Sequence, residues 1–170
     1  MNDTTRYDAV ELLRELGAAE VDHMGSDLLT HLQGTEAILR SWDAAEPVAL
    51  AGLCHATYGT AGFPLALLPL DDRARLAAVI GAEAEATVYL YCSCRRDGWP
   101  EVFEDRFTGE RHDLTADQLR AMALLTAANE LDLTRRGVFD DATRTAIADL
   151  VEVLAPHAPE IAPVATEIRP

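Results

Sequence analysis

The apolar residues of this chain recur mostly at three- and four-residue spacing, the period of helices that bury one face. Val10, Leu13 and Leu16 predict a helix over Tyr7 to Leu16, with Gly17 as its C-cap. Ser26 is placed to cap a second helix, which Leu28, Leu29, Leu32, Ile38 and Leu39 carry up to Trp42. From Pro47 to about Tyr58 the pattern changes. Val48, Ala49, Leu50, Ala51, Gly52, Leu53 and Cys54 are apolar nearly all round, which predicts the buried central helix, with Pro47 in its first turn.

Gly59, Gly62, Pro64 and Pro69 make 59–69 a loop. Asp71 or Asp72 caps a short helix to Ile80, Gly81 ends it, and Ala82 to about Cys94 forms the next. The polar and aromatic stretch that follows allows a small hairpin near residues 102–112. Thr115 and Gln118 fit a capping box that opens a long helix through Leu131, and a last helix spans about Asp141 to Leu154. The expected architecture is all-α: one helical domain over residues 1–155 and a proline-bearing tail, 156–170, that should be extended on the surface.

Composition narrows the classes. With 170 residues, 49% hydrophobic and 25% charged, the chain can bury one ordinary core. Its net charge of −15 repels phosphate backbones, so no nucleic-acid partner is expected. All fourteen basic residues are arginines, which excludes a lysine Schiff base, a lysine general base and a P-loop lysine. The N-terminal Met-Asn-Asp-Thr-Thr-Arg lacks the basic and apolar regions of a secretory signal, and no apolar run approaches a membrane span. Three cysteines without Cys-x-x-Cys spacing read as the buried or half-buried thiols of a cytoplasmic protein. A homo-oligomer is left open.

The candidate chemistry lies in histidines. His31 and His55 fall in successive apolar helices, where an imidazole needs partners for both ring nitrogens. Each alone reads as a hydrogen-bonded core residue; together they could meet across the core and hold a metal. His23 reads by itself as an exposed loop residue, yet it can fold back to complete a three-histidine set. Asn129 lies in an alanine- and leucine-rich helix and needs an interior partner, whereas Glu130 and Asp132 read as solvated. Tyr58 and Thr60 would border a pocket at the His55 helix end. Arg95 and Arg96 read as dipole partners of a helix C-terminus before they read as anion ligands. His112 and His157 read as surface residues.

Taken in order, Thr30-His31-Leu32 through Ile38-Leu39, Leu50-Ala51-Gly52-Leu53-Cys54-His55-Ala56, Ile80-Gly81-Ala82-Glu83-Ala84 and Leu124-Leu125-Thr126-Ala127-Ala128-Asn129-Glu130-Leu131 resemble the HD superfamily over about residues 26 to 132. The likeness is to the hydrolase domain of stringent-response (p)ppGpp enzymes, and to uncharacterised bacterial HD-like domains with a His-x-x-Tyr-Gly-Thr motif. It implies an HD-like helical bundle with metal ligands at His31 and His55. Ala56 stands where that family has the aspartate of its His-Asp motif, and Asn129 stands for its last aspartate. Tyr58, Gly59 and Thr60 replace its acidic pair. The resemblance therefore implies weak holding of a hard cation such as Mn²⁺, and (p)ppGpp hydrolysis is not expected.

Three readings follow. The first is an enzyme on a small-molecule substrate with one Zn or Fe ion on His31, His55 and His23. The second is a metal-free enzyme in which His31 or His55 is a general base and Tyr58, Thr60 and Asn129 position the substrate. The third is a non-catalytic ligand-binding or interaction module. The reading adopted is an enzyme, with the metal left open.

Overall fold

The computed structural model describes residues 3–170, Asp3 by its backbone alone; Met1 and Asn2, which open the stretch read above for a leader, lie outside it. Among the described residues the fold is all-α, with α1 (Asp3–Glu15), α2 (Leu28–Ser41), α3 (Glu46–Cys54), α4 (Arg73–Ile80), α5 (Ala82–Ser93), α6 (Ala116–Arg135), α7 (Asp141–Leu154) and α8 (Ala162–Ile168). No described helix is long and apolar enough to cross a membrane.

Two departures near the N-terminus matter for the site. Asp27, not Ser26, caps α2: its carboxylate accepts from the Thr30 amide at 2.8 Å. Ser26 instead belongs to a two-residue antiparallel ribbon, β1 (Asp22–His23) against β2 (Ser26–Asp27). Met24 and Gly25 close it, both at positive φ, 42° and 81°. The ribbon turns His23 inward, where a plain loop would leave it in solvent.

The central helix α3 is apolar all round, as its sequence requires, but it stops at Cys54, four residues before the expected end. His55 is its C-cap, and the chain then leaves the helical path through Gly59 at φ 71°. A side chain at Gly59 would also meet the Pro64 carbonyl at 2.7 Å, so glycine is required there. α6 opens with the expected capping box. Gln118 Oε1 accepts from the Thr115 amide at 2.9 Å, and the Gln118 amide donates to Thr115 Oγ1 at 3.2 Å. The helix runs one turn beyond the expected end, to Arg135.

Residues 103–112 fold back as the hairpin reading anticipates, with Asp105 N–H on the Glu110 carbonyl at 2.8 Å, but as isolated bridges and not continuous strands. The expected extended tail is corrected outright. From Ala155 the chain makes two short turns and then α8. Pro156, Pro159 and Pro163 sit in first turns, where the missing N–H is not needed. Ala158, Ile161, Val164, Ala165 and Ile168 are all buried with α6 and α7. That apolar spacing supplies a face to bury, so the C-terminal segment contributes one face to the core.

One apolar cluster joins α6, α7 and α8; a second gathers α1, α4, α5 and the N-terminal part of α2. Helix α3 contributes to both, and Gly52 on it is in close contact with Leu39 of α2. At Gly34 of α2 the missing side chain lets Asp132 of α6 come against the helix. These two glycines set how closely the site-bearing helices approach.

Candidate functional site

The fold brings His23, His31 and His55 together. Their rings form a row that continues into α5. His23 lies 4.7 Å from His31 between centroids, His31 lies 5.1 Å from His55, and His55 lies 5.4 Å from Tyr91. The Arg96 guanidinium covers the far face of the row, 4.5 Å from the Tyr91 centroid. All of these residues line one cavity of about 330 Å³, of small-molecule size. Thr60, Thr126, Asn129 and Glu130 add polar lining; Met24, Phe63, Leu133, Phe139 and Leu150 add apolar lining.

His31 is 1% exposed and is the most tightly held of the three. Its Nδ1 donates to Asp132 Oδ2 at 2.7 Å, and its Nε2 lies 3.0 Å from Asn129 Oδ1. Asp132 is held in turn by Arg136 Nε at 2.6 Å. With both ring nitrogens donating, His31 is an imidazolium. Turning the Asn129 amide over makes its N–H donate to a neutral Nε2, and gives up its present donation to Glu130 Oε1 at 3.2 Å. These two states differ by one proton at the cavity wall.

His55 is neutral. Its Nδ1–H donates to the Gly52 carbonyl at 2.8 Å, one turn back along α3, so Nε2 carries the lone pair. Burial foremost, then the positive charge of His31, pushes its pKa down to about 3. Burial and then His31 likewise bring His23 down to about 4. Asp132 keeps its carboxyl below the usual range although burial opposes this, because His31 and Arg136 both donate to it. Burial raises the Glu130 carboxyl against the pull of Arg96.

The two depressed histidines make acid sensitivity a property of the site. Unfolded histidines protonate near 6.5, while His23 and His55 stay neutral in the fold down to about 4 and 3. Between those limits the unfolded chain binds more protons, so stability rises with pH. The contribution is whole above pH 6.5 and is lost on acidification. Each histidine adds a slope of about 1.4 kcal/mol per pH unit. Urea unfolding between pH 5 and 6 should therefore show a slope smaller by about that amount in His55→Asn. Equal slopes would contradict the buried, neutral assignment.

Thr60 and Asn129 sit where the sequence reading puts them, on the cavity wall. Tyr58 does not. Its hydroxyl donates to Glu85 Oε1 at 2.8 Å, in a separate buried group completed by Arg73, and it is not part of the cavity lining. The reason is the early end of α3: the turn after Cys54 swings Tyr58 toward α5. Asp132 and Glu130, read as solvated, are a buried partner of His31 and a wall residue. Asp132 was findable, because it stands three residues after Asn129 on the same helical face. Arg96 leaves the dipole role to face the cavity, while its neighbour Arg95 pairs outside with Glu104 at 2.8 Å. His112 and His157 are exposed, as read.

A bound metal needs three converging donors. His31 has both nitrogens engaged, and His55 has one on a backbone carbonyl. Among the described residues no group of three His, Cys, Asp or Glu side chains is disposed to hold a metal ion. The residues as arranged do not fit the expected Zn or Fe site.

The fold and site thus define an all-α domain with a histidine-lined cavity. The family described as a domain of unknown function, DUF6817, matches residues 12–96, half of the chain, and the protein belongs to it. The matched stretch contains His23, His31, His55 and Arg96; Asn129 and Asp132 lie beyond it. No curated protein and no solved structure matches the chain.

Proposed function

We propose that the domain is a metal-independent enzyme acting on a small molecule, in a diverged HD-like frame, with His31 as the group that moves a proton. The contact of His31 Nδ1 with Asp132 Oδ2 at 2.7 Å carries the reading. A carboxylate on Nδ1 fixes the ring's orientation and tautomer and offsets the charge that arrives when Nε2 takes a proton. Arg136 fixes the carboxylate in turn. Asn129 holds the Nε2 position until a substrate group replaces it. His55, neutral at working pH, offers a lone pair that accepts a hydrogen bond and does not compete for the proton.

Two further groups support an occupant with polar atoms. His23 Nδ1 and Thr126 Oγ1 are buried, lack a hydrogen-bond partner among the described residues, and belong to cavity-lining side chains. Buried polar groups without partners are unfavourable, so a ligand that bonds them binds with that penalty relieved. The two histidine helices in succession support the HD-like frame.

The test is conversion of a metabolite extract followed by mass spectrometry, with chelator-treated protein. One or more small compounds should be consumed by the wild type. His31→Gln should lower the rate by at least about a hundredfold, the lower end of general acid–base contributions. An extract that the wild type leaves unchanged, or turnover that needs Zn²⁺ or Fe²⁺ restored, overturns the proposal.

A further inference from the structure

Every arginine of the chain but one has a carboxylate or a backbone carbonyl within hydrogen-bond or ion-pair distance among the described residues. Arg96 is the exception, and it is the one that faces the histidine cavity. Its guanidinium carbon lies over the Tyr91 ring, 4.5 Å from the centroid, and its five N–H donors meet no carboxylate or backbone carbonyl among the described residues. A guanidinium edge suits a planar acceptor with two parallel oxygens.

We infer that Arg96 is the anchor for a substrate carboxylate, and that the cavity takes a small monocarboxylic acid whose apolar body lies on Phe63, Phe139 and Leu150. This deepens the proposed function and rests on it for the placement of the substrate near His31. A doubly charged phosphate suits the site less well. Arg96 is the only uncommitted guanidinium on this wall, because Arg136 is committed to Asp132 and to the Thr30 carbonyl. The Glu130 carboxyl shares the wall, and the chain carries a net charge of −15. With the Glu130 carboxyl, which burial raises, holding its proton, one guanidinium balances one added negative charge, and a second would go uncompensated. The row of rings sets the span: Arg96 stands two rings, Tyr91 and His55, from His31. A carboxylate on Arg96 leaves the far end of a short molecule beside the His31 imidazole.

Calorimetric titration of the full chain with matched probes tests this without knowledge of the natural substrate. The probes are 3-phenylpropionate, hexanoate, their neutral amides, and phenyl phosphate. Each carboxylate should bind about tenfold or more tightly than its amide, about the effect expected of one charge-assisted pair. Phenyl phosphate should bind more weakly than 3-phenylpropionate. Arg96→Gln should bring the carboxylate-to-amide ratio to about one, and Arg96→Lys should keep part of it. These comparisons read binding alone, so their outcome is separate from that of the turnover assay. Amides that match the acids, phosphate that outbinds them, or no binding of any probe overturns it. The comparison within the wild type decides the matter even if Arg96→Gln fails to fold.

Discussion

Asp132→Ala is expected to lower the unfolding free energy by about 3–5 kcal/mol, the range seen when one member of a buried charged pair is removed. The residue is 7% exposed, and it receives both His31 Nδ1–H and the Arg136 guanidinium. Deleting it removes the acceptor of the 1% exposed His31 ring and leaves Arg136 with the Thr30 carbonyl alone. Asp132→Asn keeps the volume and one oxygen, so it should lose clearly less. Urea denaturation of the three proteins at pH 7 checks both statements. A loss below about 1 kcal/mol in the alanine variant, the level of an exposed ion pair, would show that the pair is not the buried anchor described here.

The second large effect concerns a residue that makes no hydrogen bond through a side chain. Gly34→Ala ordinarily favours a helix by about 1 kcal/mol. Here the added carbon would collide with Asp132 Oδ1 and lie 2.9 Å from its Cγ. Asp132 cannot retreat without releasing His31 or Arg136. The expected outcome is a net destabilisation of about 1–3 kcal/mol. In an Asp132→Ala background the obstacle is gone, and Gly34→Ala should become neutral or stabilising. A double-mutant cycle measures that reversal. Additive effects would mean that Gly34 and Asp132 do not share the close approach.

Much of the helical frame was legible from the chain. Capping residues are local signals, so the Thr115–Gln118 box and the α7 boundaries emerged where their sequence placed them. The all-apolar run of α3 likewise announced a buried helix. The C-terminal segment was misread because prolines were weighed as breakers, although in first turns they are compatible with helix. At the site, His31 and His55 were visible as buried polar residues that needed partners. What they bond to was not, because His31 and Asp132 are 101 residues apart and no local pattern records the pairing. Asn129 was read correctly as facing inward, but Asp132 on the same face was assigned to solvent by its charge alone. Tyr58 was misplaced by the early end of α3, a boundary that apolar periodicity does not fix. Arg96 lines the cavity although a helix C-terminus already accounts for a basic residue in the sequence.

As proposed, His31 is a proton carrier tied to Asp132 and not a metal ligand. Long-range ¹H–¹⁵N spectra of the histidine rings, recorded at neutral pH before and after one equivalent of Zn²⁺, test it most directly. The predicted result is a protonated His31 Nδ1 whose signal is unmoved by zinc and is lost or strongly shifted in Asp132→Asn. An unprotonated Nδ1, or ring nitrogens of His23, His31 and His55 that shift together on adding zinc, would contradict it.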